Sequence, residues 1–252
     1  MAASTVIADD SLALAEKCWE WLSEQIQLHQ SSSRRPFALA LAGGSTPRLL
    51  YQLASQPDLS SGVDWQRFIL LLGDERNVHA DHPDSNYRMV ADCLLGQIDL
   101  PSENVLTVPD PGGDPSSAAA NYERLLLTHL EATAEGFPLI DCVLLGMGED
   151  VHTASLFPET KGLDEKRRSV IANYVDQLNS WRITLTATAI NASERVAFLI
   201  SGSSKTKALA ILWHGPRDFR RYPAQLIQPR SGQLIYFVDR AALGRLSTAN
   251  AH

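Results

Sequence analysis

Residues 37–47 read Phe37-Ala38-Leu39-Ala40-Leu41-Ala42-Gly43-Gly44-Ser45-Thr46-Pro47. An unbroken apolar run ends in two glycines and two hydroxyls, and a proline then suits the first turn of a helix. A strand with one wet face would alternate polar and apolar residues. This run does not, which predicts a strand covered by helices on both sides. The same syntax recurs at 68–72, 140–145, 196–200 and 234–238, each a short apolar run followed by small or polar residues. Helix signals lie between them. Thr46-Pro47 and Asp114-Pro115 each place a capping side chain before a proline. Tyr122, Leu125, Leu126 and Leu130 form a stripe at helical spacing. Residues 203–213 read as a further helix, ended by His214-Gly215-Pro216. Strands alternating with helices predict an α/β class protein, an α/β/α sandwich around a Rossmann-like, largely parallel sheet. No repeat or long linker divides the chain, so the expectation is one domain over 1–252, with 247–252 a frayed tail.

Composition narrows the chemistry. The 252 residues carry 29 acidic against 22 basic side chains, a formal charge of −7. That balance argues against a dedicated nucleic-acid or membrane-surface partner. Seventeen of the basic residues are arginine, the better fork for small anions. Three cysteines without a CxxC support neither a disulfide framework nor a zinc site. No run approaches a membrane span, and Asp9 and Asp10 precede any basic residue, unlike a signal peptide. A cytoplasmic location is expected.

Four strand ends carry polar residues. Gly43, Gly44, Ser45 and Thr46 could cradle an anion at a helix start, or simply make a tight capped turn. Gly73-Asp74-Glu75-Arg76 follows the second run, either a functional rim or a solvated loop. His79 and His82 behind it read as surface histidines rather than a metal pair. After the third run, Gly146-Met147-Gly148-Glu149-Asp150-Val151-His152 leads toward an expected short helix. An imidazole is the usual general base, and a carboxylate two residues away can fix its tautomer. The fourth, Ser201-Gly202-Ser203-Ser204-Lys205, sets a lysine at a helix start, where a bound anion would explain it. Four such ends on one sheet suggest a shared pocket.

The strings GGSTP (43–47), GDERNV (73–78), SN (85–86), LLGMGEDVHTASLFP (144–158), RITLTATAIN (182–191), FLISGSSK (198–205) and YPAQLIQP (222–229) resemble, in order, the family of 6-phosphogluconolactonases and glucosamine-6-phosphate deaminases. The resemblance implies hydrolysis of a 6-phosphogluconolactone in the oxidative pentose phosphate pathway. It implies His152 as general base, Asp150 as its orienting partner and Arg76 at the reacting end. Gly43, Gly44, Ser45, Thr46, Asp74, Arg182 and Lys205 would meet the substrate. A lactone is an activated ester, so no cofactor and no metal are expected. Two other readings stand beside this one, a deaminase/isomerase and a non-catalytic sugar-phosphate binder. A deaminase would need a glutamate after the histidine, where this chain has Leu156-Phe157-Pro158. The family usually has glycine where Val151 stands. Valine fits best if φ at 151 is below zero; a positive φ, or a side chain in the substrate's space, would make the enzyme slow and Val151→Gly faster.

Overall fold

All five residues from Phe37 to Leu41 are buried, as are those of Phe68–Leu72 and Cys142–Leu145. The computed structural model describes residues 3–246; the expected tail at 247–252 lies outside the described residues. The elements begin with β1 (Ser4–Ala8), α1 (Ser11–Ser32), β2 (Phe37–Leu41), α2 (Ser45–Ala54) and α3 (Pro57–Ser60). Next come β3 (Phe68–Leu72), β4 (Asp74–Arg76), α4 (Asn86–Cys93), β5 (Val105–Leu106) and α5 (Pro115–His129). Then follow β6 (Cys142–Leu145), β7 (Val170–Val175), β8 (Ser180–Leu185) and α6 (Ala187–Asn191). Last are β9 (Arg195–Ile200), α7 (Thr206–His214), β10 (Gln233–Asp239) and α8 (Arg240–Leu243).

Seven strands form one parallel sheet in the order β1-β10-β9-β6-β2-β3-β5. Its two faces feed two cores by the period-two rule. Phe37, Leu39 and Leu41 pack with α1, α2 and α4, while Ala38 and Ala40 pack with α5 and α7. Each fully buried Phe or Leu contributes about 1.5–3 kcal/mol of transfer free energy. At the N-terminal end of the strands, Arg35 forks onto the buried carboxylate of Asp141 with both bonds at 2.7 Å. That lock lies at the end of the sheet away from the glycine loops.

Four details depart from the sequence expectation. Thr46 does not cap α2; Gly44 does, at φ 106, and the helix begins at Ser45. Only a residue without Cβ holds that backbone cheaply. Residues 203–213 are not one helix, because Ser203–Lys205 form a 3-10 turn before α7. No helix follows His152; residues 151–159 make a loop with a Thr153–Leu156 bridge. Finally β4, β8 and β7 form a separate antiparallel sheet. Asp114, in contrast, caps α5 as expected, accepting from the Ser117 amide at 2.7 Å.

Candidate active site

The sheet order reverses between β2 and β6, with β3 and β5 beyond one and β9, β10 and β1 beyond the other. Open α/β sheets bind ligands at such a switch point, off the carboxyl ends of the strands. Here the 43–46 loop faces the 146–152 loop so closely that a Cβ on Gly146 would stand 4.0 Å from the Gly43 carbonyl oxygen. Two buried tyrosines fix the strand ends. The Tyr51 hydroxyl accepts from the Ala42 amide and donates to its carbonyl, both at 2.9 Å. The Tyr122 hydroxyl does the same to Leu72, at 2.8 and 3.0 Å. Each closes its strand just before a glycine of the site.

The cleft is about 250 Å³ and is lined by Gly43, Gly44, Ser45, Thr46, Asp74, Arg76, His152 and Lys205. An adjoining compartment of about 530 Å³ shares Asp74, Arg76 and His152 and adds Asp150, Gln177 and Arg182. All ten residues nominated from the sequence therefore meet in one place.

His152 Nδ1 donates to Asp150 Oδ1 at 2.5 Å, which leaves Nε2 as the ring's acceptor. Burial alone would raise the Asp150 pKa, but the hydrogen bond and charge of His152 carry it down to about 2. Phe157 stacks on the imidazole with ring centroids 3.8 Å apart. A Cβ on Gly148 would stand 2.1 Å from His152 Nδ1 and 2.5 Å from Asp150 Oδ1, so any side chain there would displace the pair.

Val151 corrects the sequence expectation. Its φ is +65, not negative. The isopropyl group turns fully into the core and lines neither compartment. Its carbonyl accepts from the Ala224 amide at 2.9 Å. Burial thus offsets the left-handed strain and His152 still reaches the cleft, so the slow enzyme expected from a positive φ at 151 does not follow from this geometry.

On the facing wall, Arg76 and Arg182 sit directly opposite each other across β4 and β8. Burial, and then the charge of Arg76, depress the Arg182 pKa, and its buried Nε has no partner among the described residues. Two crowded guanidiniums with a spare donor make a cradle for an anion. Arg76 also donates to the Asp84 carbonyl. Beneath them the buried Glu75 carboxylate accepts from the amides of Arg76, Asn86 and Tyr87 and from the Ser85 hydroxyl, at 2.7–3.0 Å. Burial lifts its pKa while those four donors pull it back. Lys205 stands behind Gly202, and Asp239 anchors that turn by accepting from Ser201 Oγ at 2.5 Å and the Gly202 amide at 3.1 Å.

Several contributors carry no role in the sequence reading. Ser155 donates to Asp74 Oδ2 at 2.6 Å, and Asn86 donates to the Asp74 carbonyl at 2.8 Å. Asn86 and Ser155 lie in motif strings without an assigned contact, Tyr122 is legible only as part of a helical stripe, and Tyr51 gives no local signal. His79 pairs with Asp81 at 2.6 Å on the surface, away from the cleft. Among the described residues no three His, Cys, Asp or Glu side chains gather as metal ligands.

The family model for glucosamine-6-phosphate isomerases/6-phosphogluconolactonase matches residues 9–236. The chain belongs to this family. A 6-phosphogluconolactonase of Nostoc sp. is 41% identical over 211 residues, covering 84% of this chain and 85% of the relative. One from Synechocystis sp. is 40% identical over 204 residues, covering 81% and 82%. The solved 6-phosphogluconolactonase of Trypanosoma cruzi superposes with a TM-score of 0.85 at 26% identity, covering 98% of each chain. Within this isomerase/lactonase family the deaminase reading needs a carboxylate after the histidine. Phe157, against the imidazole, stands in that stretch. No helix among the described residues is long and apolar enough to cross a membrane.

Proposed function

We propose that this chain hydrolyses 6-phospho-D-glucono-1,5-lactone to 6-phospho-D-gluconate, in the pentose phosphate pathway. The observation that carries the site assignment is the His152–Asp150 pair at the sheet's switch point, facing the Arg76–Arg182 pair. Nε2 of His152 takes a proton from water as the hydroxide oxygen attacks the lactone carbonyl. The carbonyl electrons move onto oxygen, where the Arg76 guanidinium stabilises the oxyanion. Collapse breaks the ring C–O bond, and His152 returns its proton to the departing ring oxygen. Asp150 holds the imidazole in one tautomer throughout and offsets its transient charge.

The amides of Gly43, Gly44, Ser45 and Thr46, with Asp74, Arg182 and Lys205, hold the rest of the substrate. Binding energy gathered there keeps the carbonyl in line for attack. The ester is activated by its ring, so base and oxyanion donor suffice without a Lewis acid. A cytoplasmic site of action fits the three buried free thiols.

The decisive assay follows lactone turnover against the measured spontaneous background. Turnover well above background supports the hydrolase. Tight product binding with no acceleration would favour the non-catalytic reading, and release of ammonia from glucosamine 6-phosphate the deaminase.

A further inference from the structure

A second segment reaches the base from outside its own loop. Gln177 lies in the turn between β7 and β8, and its Nε2 donates to Asp150 Oδ2 at 3.3 Å. Asp150 Oδ1 meanwhile accepts from His152 Nδ1 at 2.5 Å and from the His152 amide at 3.2 Å. Both carboxylate oxygens are therefore bonded. The turn is preshaped: Asp176–Leu178 form a 3-10 turn closed by Asn179 in the left-handed region, φ 44 and ψ 47. The Tyr174 hydroxyl bonds the Asn179 side chain, and Leu178 walls the compartment holding His152 and Arg182. The same small sheet carries Arg76 on β4 and Arg182 on β8.

Resting on the reading of His152 as the base, we propose that Gln177 is a positioning residue for the reaction. It acts through Asp150, fixing the plane of the carboxylate and with it the direction of the imidazole. A carboxylate held at one oxygen turns easily, because its terminal torsion is broad and twofold. A donor on the second oxygen removes that freedom. It also ties the base to the sheet that presents the guanidinium pair, so the two halves of the site share one frame.

The amide does this without adding charge. Around the pair stand Glu149 in the loop, Asp74 and Arg76 from β4, Arg182 from β8, Asp176 in the turn and Lys205 across the cleft. In that field a neutral donor leaves the base's working range alone, whereas an ion at 177 moves it.

The test uses the full chain with Gln177→Ala, Gln177→Glu and Gln177→Lys, reading kcat, KM and the pH profile of kcat/KM. Position 177 is exposed, so the variants should fold, and thermal melts check this. Gln177→Ala is expected to lower kcat about fivefold with KM nearly unchanged, the scale of one modest hydrogen bond. Gln177→Glu should move the acid limb of the profile to higher pH and Gln177→Lys to lower pH. Superimposable profiles with kcat within about twofold of wild type, or loss of melting temperature alone, would overturn the proposal. His152→Asn run in parallel separates the two readings. An inactive His152→Asn with inert Gln177 variants sinks only Gln177's role, whereas an active His152→Asn sinks the base itself.

Discussion

Asp150 Oδ1 lies 2.5 Å from His152 Nδ1, and both side chains remain part exposed at the mouth of the cleft. The pair is open enough to meet substrate yet bonded tightly enough to fix one tautomer. That geometry makes His152 the group on which turnover should depend most. His152→Asn is expected to lower kcat by about 10²–10⁴-fold with a smaller change in KM, because a base acts in the transition state. Steady-state kinetics with background subtraction check this; near-wild-type turnover would exclude His152.

Asp150 is held down to about 2, so it stays ionised across any working pH. The acid limb of the activity profile therefore does not come from its protonation. Asp150→Asn should cut kcat by about 10²-fold or more and move that limb to lower pH, since the partner's negative charge is gone. On stability, a depressed carboxyl contributes above its unfolded range and loses that contribution as pH falls through about 2. Because the group is part exposed the effect is small, and kinetics give the clearer readout.

Arg76→Lys should be impaired, because an ammonium cannot reproduce the guanidinium fork that meets the Asp84 carbonyl and, in the proposed mechanism, the oxyanion. Lys205→Ala should weaken 6-phosphogluconate binding by about 1–3 kcal/mol, the scale of a hydrogen bond to a charged group. Calorimetry on both variants measures this, and unchanged affinity in both would remove them from the site.

Val151→Gly separates strain from anchoring. Left-handed geometry costs a non-glycine residue about 1–2 kcal/mol, and full burial of the isopropyl group contributes about 1.5–3 kcal/mol. Glycine also gains freedom in the unfolded chain. A lower melting temperature is expected, with kcat/KM changed by less than about tenfold, since the side chain lines neither compartment. A large gain in activity would show that valine distorts the loop after all.

Glu75→Gln should destabilise the protein by about 1–3 kcal/mol, because an amide nitrogen would face donors where four now meet a carboxylate. Urea titration of both proteins checks the sign and size.

The parallel sheet was legible in the sequence because strands buried on both faces must be continuously apolar. Phe37–Leu41, Phe68–Leu72 and Cys142–Leu145 fall within the runs that announce them. Glycines and polar residues at the ends of those runs line the cleft, since a strand must stop before its backbone can open onto a pocket. The antiparallel sheet was not legible as such: β4 is three residues long, and its pairing with β8 joins segments about a hundred positions apart. Local pattern carries no information about that distance. For the same reason only the tertiary structure sets Arg182 opposite Arg76, Ser155 on Asp74 and Gln177 on Asp150. The sign of φ at Val151 belongs with them. Intrinsic preference puts valine at negative φ, and only a core pocket able to take its side chain decides otherwise.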